Sequence, residues 1–249
     1  MKKLPFLILL SCFSAQAQIL NAESLRKVTD TSGWSGAATV NFSLARNVTE
    51  QISLGSDIHL QYKKNKHLFL VKNQIVFQKV DNEDFFNSGI QHFRYNNRFA
   101  DRWAWEAFVQ GQYNRVAKID FRGLAGSGMR YKLTTSEKYK FYLGSLLMFE
   151  YEEVADGVTP TQKDFRLSSY LSFSLYPTDN ISVVSTTYYQ PQVDKWRDHR
   201  VSSETSLVFT IYENVKFNTT YVFIYDAFPA LGIPNSQYRL SSGLTYTFD

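Results

Sequence analysis

Polar and apolar residues alternate one by one along most of this chain, in runs broken by short turn-like stretches. In "IDFRGLAGSGMRYKL", Ile119, Phe121, Ala125, Met129, Tyr131 and Leu133 fall on one parity, and Asp120, Arg122, Arg130 and Lys132 on the other. A period of two is that of a strand whose faces see different surroundings. "KYKFYLGSLLMFEYEE" repeats the pattern, with Tyr139, Phe141, Leu143, Leu147, Phe149 and Tyr151 set against Lys138, Lys140, Glu150 and Glu152. The same reading predicts strands in "GWSGAATVNFSLA", "QISLGSDIHLQY", "FFNSGIQHFRYNNRF", "WAWEAFVQGQYNR", "FRLSSYLSFSLY", "ISVVSTTYY", "VSSETSLVFTIY", "VKFNTTYVFIY" and the final "RLSSGLTYTFD". His67 to Val80 is less regular, apolar on both parities at "HLFLV", and is read as a strand bounded by "DNED".

The total is about twelve runs, most of them longer than a soluble strand and long enough to cross a bilayer at a tilt. The connections "KKNK", "ADR", "TTSE", "PTDN" and "EN" are tight, whereas "VADGVTPTQKD", "QVDKWRDHR" and "DAFPALGIPNSQ" are longer, and alternate with them. Short turns at one end and long loops at the other predict an all-β, transmembrane, antiparallel up-and-down β-barrel with both termini on the short-turn side. An ordinary soluble core would explain the alternation alone, but neither the strand lengths nor the sorted loops.

The opening "MKKLPFLILLSCFSAQAQ" has a two-lysine start, an apolar stretch too short to span a membrane, and Ala15 and Ala17 flanking Gln16. This is the layout of a secretory signal, with cleavage expected after Ala17. Reading "LLSC" as a lipoprotein box would put a lipid on Cys12, but the apolar run before it is short for that. The division expected is a signal peptide over 1–17, a periplasmic lead over 18–32 and a barrel over 33–249. Cys12 is the only cysteine, so a chain cut after Ala17 has no disulfide or thiolate metal site. The 27 basic and 23 acidic residues are mixed along the chain, which argues against a nucleic-acid partner.

The polar parity supplies the candidate lumen lining: Glu106, Asp120, Arg122, Arg130, Lys140, Glu150, Arg166, Glu204 and Arg239. Lys132, Lys138, Glu152, Lys216 and Asp226 share that face. In a barrel these residues form a hydrated interior of compensating charges or a selectivity lining. About twelve strands lies between the eight that side chains fill and the sixteen that leave an open channel, so long side chains could nearly close the bore. No nucleophile and base pattern accompanies His59, His67, His92 or His199, and no metal-ligand spacing appears, so no catalytic residue, metal or cofactor is expected. His59 and His92 read as inward hydrogen-bonding residues. "AGSGM" reads as small residues permitting a bend or close packing. Trp196, Arg197 and His199, with Phe228 and Leu231, are loop residues able to contact a partner or surface lipid.

Two stretches carry a resemblance. The ending places Gly243, Tyr246 and Phe248 at the spacing of the terminal strand that the barrel-assembly machinery reads, with Asp249 as a departure after the aromatic. In "FVQGQYNRVAKIDFRGLAGSGMRYKL", a Tyr-Asn pair, a very short turn and Asp-x-Arg-x-x-x-Gly-x-Gly are carried by Tyr113, Asn114, Asp120, Arg122, Gly126 and Gly128. This resembles the salt-induced outer-membrane protein family, domain of unknown function 481. The resemblance implies a monomeric barrel of the bacterial outer membrane, with membrane lipid and the assembly machinery as its partners. The leading expectation is a non-enzymatic barrel acting as a narrow passive pore for ions or small solutes. A closed structural or surface-binding barrel is the alternative, and an enzyme acting on lipid or surface polymer is less favoured.

Overall fold

A computed structural model of the chain describes residues 32–46, 50–80, 83–134, 136, 138–212 and 215–246. The expected signal peptide, the lead over 18–31, Cys12, Phe248 and Asp249 lie outside the described residues. Among the described residues twelve strands follow one another. They are β1 (Gly33–Arg46), β2 (Glu50–Lys64), β3 (His67–Val80), β4 (Glu83–Asn97), β5 (Trp103–Asn114), β6 (Ile119–Lys132), β7 (Tyr139–Val154), β8 (Gln162–Thr178), β9 (Ile181–Pro191), β10 (His199–Tyr212), β11 (Val215–Asp226) and β12 (Ser236–Tyr246). Each pairs antiparallel with its sequence neighbours in one sheet ordered β1 to β12. Among the described residues β1 and β12 do not pair. The strands run from 11 residues in β9 to 17 in β8, as a tilted membrane crossing requires.

The sheet is curled, because side chains on distant strands meet. Arg200 on β10 donates to Glu150 on β7, and Tyr170 on β8 donates to Glu106 on β5 at 2.7 Å. Three strand spacings would hold such side chains about 14 Å apart on a flat sheet. Lys118, between β5 and β6, reaches Leu231, between β11 and β12, at 2.7 Å. Half of the strand order separates those two connections, so they face each other across one mouth.

The two faces sort by parity. Gln61, Arg94, Glu106, Arg130, Glu150 and Arg166 are buried on the concave face. Val109 and Leu147 are each 54% exposed on the other face, together with Phe93, Met129, Leu143 and Phe165. Their neighbours in the chain point inward, so the register keeps the lipid-facing set together on the convex side and puts the charged residues, with a few buried apolar ones, on the concave side.

Aromatic side chains collect in two bands on the convex face. Near the short turns, Trp34 lies 4.9 Å from Tyr62, Phe69 4.9 Å from Tyr95 and Trp103 4.7 Å from Tyr131, centroid to centroid. Near the long loops, Phe149 lies 5.4 Å from Phe165, and His199 sits between Tyr189 at 5.7 Å and Tyr225 at 5.6 Å. From Phe141 to Tyr151 on β7 the strand rises about 33 Å, or about 25 Å along the axis at a usual barrel tilt. That is the height of an apolar band flanked by aromatic girdles.

The three longest connections, 155–161, 192–198 and 227–235, lie at one end. The other end carries the connections 65–66 and 179–180, together with 98–102 and the link between β6 and β7, the last two longer than the tight turns the sequence suggests. "ADR" and "TTSE" each gain flanking residues because β4 stops at Asn97, before Phe99, and β6 stops at Lys132.

Candidate functional site

A layer of ion pairs crosses the interior just below the long loops. Glu150 is fully buried and has three guanidinium groups within ion-pair distance. Arg166 Nε lies at 2.5 Å and Arg122 Nε at 3.2 Å, and Arg200 Nη1 completes the set. Glu152 accepts from Arg122 and, at 3.1 Å, from Arg200 Nη2. Arg200 also donates through Nε to Asp226 at 2.8 Å. Arg166 donates through Nη2 to Asp198 at 2.9 Å and through Nη1 to the carbonyl oxygens of Gln190 and Asp198, at 3.2 and 3.3 Å. Arg166 is 0% exposed, so every direction from its guanidinium is occupied by protein. Three arginines and four carboxylates thus share one desolvated layer, where geometry of this quality offsets the cost of burying charge.

A second layer lies nearer the short turns. Glu106, also 0% exposed, accepts from Tyr170 and has Arg94 Nη1 at 3.8 Å and Arg130 Nη1 at 3.6 Å. Arg130 lies over the Tyr142 ring at 3.8 Å, a cation–π contact in a dry setting. Between the layers, Tyr170, Tyr188, Phe108, Leu146 and Met148 form an apolar cluster inside the barrel. The interior is therefore filled on this side by paired charges and packed side chains.

Gly144 makes room for Tyr170. A Cβ placed there would stand 2.1 Å from the ring. Gly144→Ala is expected to push Tyr170 off Glu106 and destabilise the barrel by about 1–3 kcal/mol, the usual cost of overpacking. Guanidinium unfolding followed by tryptophan fluorescence checks this, and an unchanged midpoint would mean that the ring is not held there.

The sequence candidates divide as follows. Arg122, Glu150 and Arg166 meet in the loop-end layer, and Glu106 and Arg130 in the turn-end layer. Lys140 is buried on the same face. Glu204 lies opposite Val222, which in turn lies opposite Arg239, so both candidates share the concave parity on β10 and β12. Asp120 is a correction: it is exposed and belongs to neither layer. The pairing of β6 with β7 skips from Ile119 to Phe121, and this bulge turns Ile119 inward in place of Asp120. Asp226, which shares the polar parity, joins the loop-end layer. Gly243 and Tyr246 lie on β12, opposite Asn218 and Val215.

Arg94, Tyr170, Asp198 and Arg200 are absent from the sequence candidates. Arg94 and Arg200 follow the parity rule, as the polar alternates of Phe93 and Tyr95 and of Val201. Tyr170 breaks that rule as an aromatic on the polar parity, and Gly144 opposite it across the β7–β8 ladder is its signal. His92 hydrogen-bonds through Nδ1 to Gln110 Oε1 at 2.9 Å, the inward role expected of it. Among the described residues no three His, Cys, Asp or Glu side chains converge as a metal cluster would.

The Tyr-Asn motif gains a physical reason. Asn114 is buried, and its Oδ1 accepts the Ala117 N–H at 3.1 Å, which closes the turn into β6. Gly126 leaves space for the Phe108 ring, whose Cε1 would lie 2.6 Å from an added Cβ.

A sequential antiparallel sheet curled around a polar interior, apolar outside and banded by aromatics, defines the fold of the outer-membrane β-barrels. The structure of the NanC porin shares this fold, with a TM-score of 0.51 at 8% identity over 85% of this chain and 99% of that one. A bacterial polysaccharide outer membrane secretin aligns with a TM-score of 0.46 at 10% identity, over 87% of this chain and 91% of that one. No curated protein matches the chain. Residues 38–248 match the family described as "Protein of unknown function, DUF481", and the chain belongs to that family.

Proposed function

We propose that this chain is a non-enzymatic barrel of the bacterial outer membrane, exported through a cleaved signal peptide, that acts as a narrow passive pore for ions or very small solutes. The observation that carries the reading is the pair of ionic layers inside a barrel whose convex face is apolar. A bore lined by paired charges favours hydrated ions over bulky or apolar solutes. The near balance of sign within the loop-end layer favours weak ion selectivity. The non-enzymatic reading is supported by the histidines: His92 pairs with Gln110, His67 with Tyr95, and His199 Nδ1 donates to the Arg197 carbonyl at 2.9 Å. None of these partners is a nucleophile waiting for a base.

The expected partners are membrane lipid on the convex face and the assembly machinery at the terminal strand, with the barrel working as a monomer. A barrel with a closed lumen is the second reading, favoured by the complete burial of Arg166, Glu150 and Glu106. Single-channel recording of the refolded protein in planar bilayers decides between them. Small steps proportional to salt concentration are expected. Silence from a barrel that is verified by heat-modifiable migration would replace the pore with the closed scaffold.

A further inference from the structure

We propose that the 227–235 connection is a latched lid over the loop-end mouth, with Lys118 and Asp156 as its catch. The connection leaves β11 on one side of the barrel, and its tip is held from the opposite side. Lys118 Nζ donates to the Leu231 carbonyl oxygen at 2.7 Å, and the Leu231 N–H donates to Asp156 Oδ2 at 3.1 Å. Both backbone groups of a single residue are thus taken by side chains from two other connections. A third contact places the Lys195 ammonium 4.1 Å from the centre of the Phe228 ring. Three connections, 115–118, 155–161 and 192–198, therefore grip one loop.

The loop is built as a unit that can be gripped. At its base the Asn235 amide donates to the carbonyl oxygens of Asp226 and Ala227, at 2.8 and 3.2 Å. At its tip Ile233 N–H donates to the Ala230 carbonyl at 2.9 Å, and Gly232 takes φ +83°, a tight turn that glycine permits. The catch is also preset. Asp156 is held by the Thr159 hydroxyl at 2.5 Å and by the N–H groups of Thr159 and Val158, at 2.7 and 3.0 Å. These hydrogen bonds, led by the Thr159 hydroxyl, hold its carboxyl well below the usual carboxylate range, so it stays ionised. Lys118 sits at φ 56°, a left-handed conformation that a lysine rarely adopts, and strain of this kind persists where surrounding contacts impose it.

What the lid covers is a small cavity of about 30 Å³, room for a single water. Pro229, Ala230 and Ile233 roof it, and Arg122, Glu152 and Arg200 floor it. The roof is apolar and the floor is the ionic layer. Raising the loop would join the cavity to the outside and hydrate the layer from above. The proposal rests on reading this end as the mouth of a bore, but it concerns access and does not require conduction.

The test uses the full chain with Cys12→Ser and a single reporter, Ile224→Cys, in the cavity wall. The rate of reaction with a membrane-impermeant maleimide is measured in the refolded, heat-modifiable barrel. Slow labelling is expected in this background, rising about tenfold when Asp156→Ala and Lys118→Met remove the catch, with Lys118→Met alone giving a smaller rise. Both catch residues are in connections outside the strands, so folding is retained. Labelling as fast as at an exposed loop cysteine before the catch is removed, or no acceleration afterwards, would overturn the lid. Acceleration in a protein that conducts no current would leave the lid standing and remove only the pore. Conduction without acceleration would do the reverse.

Discussion

Glu150→Ala is expected to destabilise the folded barrel by about 3–5 kcal/mol, the usual cost of removing one partner from a buried ionic network. Glu150 is the shared ion-pair partner of Arg122, Arg166 and Arg200, and its loss takes one buried carboxylate partner from each of the three guanidinium groups. Arg166 suffers most, since it is fully buried and cannot turn to water. Equilibrium unfolding in guanidinium, in lipid vesicles, measures the effect. Asp194→Ala, at an exposed position of the 192–198 connection, is the control and is expected to change stability by less than about 0.5 kcal/mol. A loss below about 1 kcal/mol for Glu150→Ala would show that water already solvates the arginines. The layer would then be a wet ring of charges, and the bore wider than its packing suggests.

Leu147→Arg is expected to cost about 2–4 kcal/mol in a bilayer, the penalty for a charge at mid-depth on the lipid face of a barrel. Leu147 sits near the middle of β7 on the convex parity and is 54% exposed. On a water-soluble protein the same substitution at an exposed leucine would be nearly neutral, because the arginine would be hydrated. The comparison with Val158→Arg on the 155–161 connection, expected to be neutral, locates the solvent boundary along the axis. If both substitutions were silent, the convex face would be meeting water and the membrane reading would fail.

The strands were legible because their signal is local. His67 to Val80 carries apolar residues on both parities, yet its ends coincide with β3, since "KKNK" and "DNED" punctuate it whatever the alternation. The inward face was legible wherever a strand is regular: Arg122, Arg130, Glu150 and Arg166 all follow from counting by two. Asp120 was not, because the bulge at Ile119 adds a residue on one strand and reverses parity beyond it, and nothing in "AKIDFR" marks such a bulge. Family membership was legible from the Tyr113-Asn114 hairpin, whose turn closure by Asn114 is itself local. The ionic layers were not legible as layers. Parity says which charges point inward but not which meet, and Arg200 meets Glu150 because of curvature that no single strand encodes.

The separation between partners has a consequence for the order of assembly. Neighbouring strands can zip as hairpins with short loops to close, but Glu106 waits for Tyr170, 64 residues on, and Glu150 for Arg200, 50 residues on. Lys118 waits 113 residues for Leu231. Until the sheet has curled, these particular contacts are absent and contribute nothing to holding it, and contacts of such long range are the ones reached last. The contacts that cross the barrel therefore act as a late lock on a cylinder already shaped by its hairpins: Arg166 can meet Glu150 as β7 and β8 zip, but Arg200 reaches it only once the sheet has curled.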